Sequence, residues 1–443
     1  MIAQWEHSFH SLCDALLASL TATEQLSLDL AAEHSHFMRF NRGKVRQSGT
    51  VADGNLTLRL SSDQRTTSMT VPLTGVLDTD QGAAFEALEV MRQELPQLPI
   101  DPYLVLSQNF GSSHAVYVGQ LLEPQQAAAE ILPLVQGIDF TGIYASGPIV
   151  RANANSAGQR HWFATETFFL DYSMITASEK AVKATLAGQS WDPQAFQAQI
   201  EASKAQLQVL DRPVKSIEPG RYRTYLAPAA IAEILTMFSW GAVSESSLRQ
   251  GGSALAKLRE GKSLSPLFSL QENFTRGTVP RFTSLGEVAP ETVSLIEAGQ
   301  LCNTLINART AKEYGVLSNG ANSSESLRAP EVAPGTLKES EILQQLDTGL
   351  YLSNLHYLNW SDRPSGRITG MTRYACFWVE SGEIVAPIKD LRFDDSLYAV
   401  LGENLEAVTD TQAFIADVDT YEARSLGGCL VPGMLIRDFT FTL

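Results

Sequence analysis

The chain has 443 residues and a formal net charge of −16, from 33 Lys+Arg against 49 Asp+Glu. Its 44% hydrophobic and 19% charged content argues for a folded protein, long enough for two or three domains, and against a disordered one. The acidic balance argues against a phosphate-tracking nucleic-acid binder and against a polybasic membrane anchor, because both depend on clustered Lys and Arg.

The chain opens on an amphipathic helix, with Trp5, Phe9, Leu12, Leu16 and Leu20 at helical spacing. Glu6, His7, His10 and Asp14 interrupt its apolar run and no basic segment precedes it, so it does not read as a signal peptide. Leu26, Leu28 and Leu30 then alternate with polar residues, as do Leu56, Leu58 and Leu60 within 51–60, and a third strand is predicted over 67–73. The pattern predicts helices over 79–95 and 125–136, the second with Pro124 in its first turn.

Strands over 143–153 and 162–172 flank the polar turn Asn155-Ser156-Ala157-Gly158, and Asp192-Pro193 starts another helix. A strand over 221–226 and a helix over 228–238 follow, and 248–258 also looks helical. Residues 318–335 hold little apolar material and read as a long flexible loop. Beyond it the chain is strand-rich, with a hairpin around Ser381-Gly382-Glu383 and a last strand over 434–443.

No local motif supplies catalysis. The seven histidines include no HExxH, and His34 and His36, or His7 and His10, pair on one face without a third ligand. A solvated face explains both pairs better than a metal does. Residues 256–263 lack the first glycine of a phosphate-binding loop, and no GxSxG elbow is present. Cys376 lies in an apolar strand and reads as inert, while Cys429 after Gly427-Gly428 reads as more exposed. Asp390, Asp394 and Asp395 read as a solvated acidic loop. Four scattered cysteines, Cys13, Cys302, Cys376 and Cys429, without a CxxC fit a reduced, cytoplasmic protein, and no apolar run is long enough to span a membrane.

Four blocks belong together. Two are the strand-turn-strand over 37–48, and the hairpin from 142 through Ala154-Asn155-Ser156-Ala157-Gly158 to Thr165 and Thr167. The other two are 277–299, ending in Leu295-Ile296-Glu297 and Gly299, and 379–389, with Gly382 and Ala386-Pro387-Ile388-Lys389. Taken together they resemble the TldD/PmbA family, which supplies both subunits of a bacterial zinc peptidase. The likeness runs over nearly the whole chain. It implies an α+β fold of two domains, an N-terminal mixed helix/strand sandwich over 1–190 and a C-terminal strand-rich, barrel-like domain over 191–443.

The resemblance also implies a departure. The catalytic branch carries HExxxH on a helix matching 231–243, with two zinc-binding histidines and a glutamate base. Met237, Phe238 and Ala242 stand at those positions, and none can hold zinc or activate its water. The branch's third ligand is a cysteine near the C-terminus, where this chain has Cys429. The chain is therefore similar to the PmbA, or TldE-like, branch. The implied role is a non-catalytic subunit that binds no cofactor itself, pairs with a zinc-bearing TldD-like subunit, and helps cleave unfolded or extended peptides. Two alternatives stay open: a stand-alone homodimeric peptide-binding protein, and a peptidase with a metal site built around His34 and His36. The family's older label, modulator of DNA gyrase, is set against the acidic charge, and no nucleic-acid or membrane partner is expected.

Overall fold

The computed structural model describes residues 2–442. Its first half is one antiparallel-rich sheet of β1 (Gln25–Asn41), β2 (Lys44–Ser62), β3 (Arg65–Pro72), β4 (Ser113–Tyr117), β5 (Asp139–Asn155), β6 (Arg160–Ile175) and β7 (Ala181–Gly188). The order is β3-β2-β1-β5-β6, with β4 and β7 pairing with successive stretches of β6. Between β1 and β2 the turn is two residues, Arg42 (φ 50°) and Gly43 (φ 65°). Positive φ at both central positions matches the twist of the flanking strands.

Strand alternation sorts this sheet into two unlike faces. Leu26, Leu28 and Leu30 on β1, Leu56, Leu58 and Leu60 on β2, and Ala152 and Ala154 on β5 are all buried on one face. There they pack against α1 (Ile2–Ala18) and α2 (Leu77–Glu94). The predicted stripe of α1 is the one that buries, through Phe9, Leu12 and Leu16. Further along that face Phe140, Tyr144, Phe168 and Tyr172 meet α3 (Pro124–Ile131) and α4 (Pro193–Leu210). Asp192 caps α4, accepting from the backbone N–H groups of Gln194 and Ala195. The odd-numbered residues of β1 and β5, and their β2 neighbours, make a polar face: Ser27, Asp29, Glu33, Asn55, Thr57, Arg59, Arg151 and Asn153.

That polar face is not solvated throughout; the second half of the chain sits on it. This half is an eleven-stranded sheet of β8 (Gly220–Leu226), β9 (Leu270–Asn273), β10 (Thr292–Glu297), β11 (Gln300–Leu301), β12 (Pro330–Val332), β13 (Gly349–Asp362), β14 (Arg367–Glu380), β15 (Glu383–Pro387), β16 (Arg392–Ser396), β17 (Leu405–Ala416) and β18 (Gly428–Phe441). The strands β8, β13, β14, β16 and β18 pair in a closed ring, since β18 returns to β8. The expected α+β fold with a barrel-like second part is therefore found, and closure leaves those strands no free edge. The last strand begins at Gly428, before the predicted 434, and Leu443 lies outside the described residues.

Three sequence expectations are corrected here. The predicted helix over 248–258 is two short ones, α6 (Glu245–Arg249) and α7 (Ala256–Arg259), with Gly251 (φ 74°) between them. Segment 318–335 is long and irregular but packed rather than free. Glu325 is buried and accepts from Ser244 Oγ (2.6 Å), Ser246 N (2.9 Å) and Asn307 N (3.0 Å). Asp394 and Asp395 lie on β16, not in a solvated loop: Asp394 pairs with Arg367, and Asp395 is buried, accepting from Thr440 N at 2.9 Å.

Polar contacts join the halves. Gly286 (φ 78°) puts its carbonyl against Gln159 Nε2 (2.7 Å) and His161 Nε2 (3.0 Å). A Cβ at Gly286 would fall 1.7 Å from Gln159 Nε2, so only glycine makes this approach. His161 also stacks on Phe282, with centroids 4.9 Å apart and planes 9° from parallel. Arg424 reaches back from the second half to donate to the carbonyls of Thr167 (2.8 Å) and Gly147 (2.5 Å).

Candidate functional site

Where the two halves part, they leave a cleft of about 870 Å³. Its floor is the polar face of the first sheet, including Asp29, Thr57, Arg59 and Arg151. Opposite lies α5 (Pro228–Ser239), which packs on β13 and β18. Proline in the first turn is tolerated because its missing N–H would be unpaired there anyway. The helix divides except at Leu235, which is buried in the core and also lines the cleft. Ile231, Ile234, Met237 and Phe238 are buried in the core of the second half, while Ala232, Glu233, Thr236 and Ser239 line the cleft.

Met237 and Phe238 are therefore core residues, at 1% and 0% exposure, with Phe238 6.2 Å from the Phe268 ring. Ala242, just past the helix, is fully buried too. Glu233 opens onto the cleft, and burial by its walls raises the carboxyl's pKa while Lys183 offsets part of that. Cys429 also reaches the cleft wall but is buried, at 8% exposure, contrary to the expectation from sequence; the exposed thiol is Cys302. Burial, with the charge of Glu233 acting in the same direction, pushes the Cys429 thiol up to about 12, which makes it a poor nucleophile. Cys376 is buried, as expected for an inert thiol.

Asp29 is the most perturbed carboxyl of the floor. Burial raises its pKa to about 7, against the opposing hydrogen bond from Asn153 Nδ2 (2.9 Å) and the charge of Arg59. Its folded pKa lies above the unfolded one, so ionisation costs stability as pH rises between the two. Asp29→Asn is thus expected to raise stability by about 1–2 kcal/mol above pH ~7 and to change it little below pH ~4. Melting curves at the two ends of that range check the sign.

The histidine pair lies elsewhere. His34 and His36 are even-numbered on β1, so they point to the sheet face opposite Asp29, with ring centroids 5.1 Å apart. His36 Nδ1 is 3.0 Å from Thr50 Oγ1. Burial and the neighbouring His36 lower the pKa of His34. His10 faces Glu6 at 3.8 Å, and His7 is exposed. Among the described residues no three His, Cys, Asp or Glu side chains gather closely enough to hold a metal ion. No helix among them is long and apolar enough to cross a membrane. The hairpin turn at 155–158 is held by Asn155 Oδ1, which accepts from Ala157 N (3.0 Å) and Gln159 N (3.3 Å).

Residues 219–443, the whole ring and α5 included, match the family model for the PmbA/TldA metallopeptidase C-terminal domain. The chain belongs to the PmbA/TldD family. Three solved structures extend the fold likeness over its full length. A TldE from Thermococcus kodakarensis superposes with TM-score 0.77 at 15% identity, over 98% of this chain and 100% of that one. A proposed DNA gyrase modulator from Thermotoga maritima gives 0.76 at 16% identity, over 99% and 100%. Another from Bacteroides thetaiotaomicron gives 0.76 at 15% identity, over 99% and 98%. At such identities the likeness is one of fold. No curated protein sequence matches the chain. Within the PmbA/TldD fold, the cleft residues that sequence reasoning missed are Asp29, Arg59, Arg151 and Glu233. The only signal for Asp29, Arg59 and Arg151 was the polar half of each alternating strand, and for Glu233 the polar side of α5; both read equally as a solvated face.

Proposed function

We propose that this chain is the TldE-like, non-catalytic subunit of a metallopeptidase, binding extended peptide while a TldD-like partner holds the zinc. The observation that carries this reading is α5: the side chains at the metal-motif positions are apolar and packed into the core, facing away from the cleft. The cleft supports the peptide-binding half of the reading, being large enough for a short extended segment and lined by both apolar and charged groups. A second feature suits an extended partner. Among the described residues, 44–53 of β2 pair only with β1, because β3 and Leu73 cover β2 from Gly54 onward, so their outer backbone groups form an open edge.

The test is co-expression with and without a TldD-like subunit, followed by co-purification and cleavage of an unfolded peptide. A stable heteromeric complex that is active only with the partner's metal motif intact is the expected result. Metal-dependent peptidase activity in this chain alone would overturn the proposal. A stable homodimer that binds peptide but ignores the partner would favour a stand-alone binding protein.

A further inference from the structure

Two arginines of the cleft floor have carboxylates in their vicinity, Asp29 for Arg59 and Glu33 for Arg151, but no direct ion pair among the described residues. In a chain with 49 acidic residues, Arg59 makes no ion pair within 4.0 Å among the described residues, and its buried Nε has no hydrogen-bond partner. Arg151, on the same floor, has one hydrogen bond among the described residues, to the carbonyl of its neighbour Val150 (2.8 Å), and no carboxylate among them within 4.0 Å. Other buried or half-buried arginines nearby spend their terminal nitrogens on backbone carbonyls, although the Arg424 Nε is also without a hydrogen-bond partner among the described residues. Arg328 donates to the carbonyls of Pro280, Phe282 and Gly320, and Arg424 to those of Thr167 and Gly147. Arginine is seldom buried without a partner, and a ligand carboxylate would give this guanidinium charge-assisted, bidentate hydrogen bonds.

The spacing fits a chain-like ligand. Across β1, Arg59 stands opposite Ser27 and Arg151 opposite Ala31, on strands to either side. Four residues along a strand and two strand spacings put their Cα atoms roughly 16 Å apart, which about five residues of extended peptide would span. Apolar side chains, among them Leu235, Val279, Phe282 and Ile415, wall the same space. Resting on the peptide-binding reading above, we propose that the cleft recognises a carboxylate of an extended peptide through the Arg59 guanidinium, with Arg151 meeting a second acidic group further along. The shared chemistry is a carboxylate in bidentate contact with arginine; its source is either the peptide's C-terminus or an acidic side chain.

Both arginines and both walls come from one chain, so the full-length protein alone is the right sample. The probes are three N-terminally fluorescent octapeptides of otherwise neutral sequence: one with a free C-terminus, its C-terminal amide, and the amide with one internal Glu. Fluorescence anisotropy is expected to show the free acid or the Glu peptide binding at least about tenfold tighter than the plain amide. Tighter binding of the free acid identifies the C-terminus as the source, and tighter binding of the Glu peptide identifies a side chain. Arg59→Gln should erase that preference without lowering the melting temperature, while Arg59→Lys keeps part of it. Equal binding of all three peptides, or a preference that survives Arg59→Gln, overturns the carboxylate site but leaves peptide binding standing. No binding of any peptide overturns both.

Discussion

Phe238→Ala is expected to destabilise the second half of the protein by about 3–5 kcal/mol. The ring has no exposed surface and packs beside Phe268 in the cluster that holds Ile234, Leu264, Leu270 and Leu352. Removing it deletes buried apolar surface and leaves a cavity in a closed ring of strands that has little freedom to collapse. The loss should be read from urea unfolding followed by a probe in the second half. Met237→Ala should act in the same direction and more weakly. A loss below about 1 kcal/mol for Phe238→Ala would mean that the position is not packed, and the structural account of α5 would fail.

Arg424→Leu carries the second large effect, on how the halves hold together. Arg424 is 4% exposed and Glu33 5% exposed, and their nearest side-chain atoms are 4.0 Å apart. Glu33 also accepts from Ser35 Oγ (2.5 Å) and from the Arg424 backbone N–H (3.1 Å). Burial lowers the pKa of the guanidinium to about 10, with Glu33 acting against that, so Arg424 remains charged at neutral pH. Substituting it strands a buried carboxylate and frees two buried carbonyls. The expected cost is about 3–5 kcal/mol, seen as the single melting transition splitting in two. Glu33→Gln in the same chain should recover part of the loss, because the stranded charge is then gone. Unchanged, single-step melting of Arg424→Leu would show that this pair does not couple the halves.

Much of the first sheet was legible because its apolar residues alternate without interruption. Leu26, Leu28 and Leu30, then Leu56, Leu58 and Leu60, give both the strands and their buried face. Past Leu30 the pattern fades into Glu33, His34, Ser35 and His36. There β1 continues for eleven more residues, held by pairing to β2 and β5 rather than by local preference. The strand β13 hid for a related reason: its register shifts at Leu352, His356 and Trp360 break the period. Short strands such as β12 exist only through their neighbours.

The candidate site was legible in one respect and hidden in another. That Met237, Phe238 and Ala242 cannot bind zinc or activate its water follows from side-chain chemistry alone. That they pack inward, leaving Glu233, Thr236 and Ser239 to the cleft, needed the helix to be placed on its strands. Asp29, Arg59 and Arg151 are far apart in sequence and converge only through strand pairing, which no local spacing encodes. Cys429 misled because two glycines before it suggest an open turn, whereas β18 already begins at Gly428 and carries the thiol into the core.

The central claim is that this chain lends peptide-binding surface but no metal to its family's chemistry. Its most direct test is the zinc content of the purified full-length chain after incubation with excess zinc and gel filtration, measured by mass spectrometry of the metal. The account predicts zinc far below one ion per chain, unchanged in Cys429→Ala. Stoichiometric zinc that survives gel filtration would contradict it.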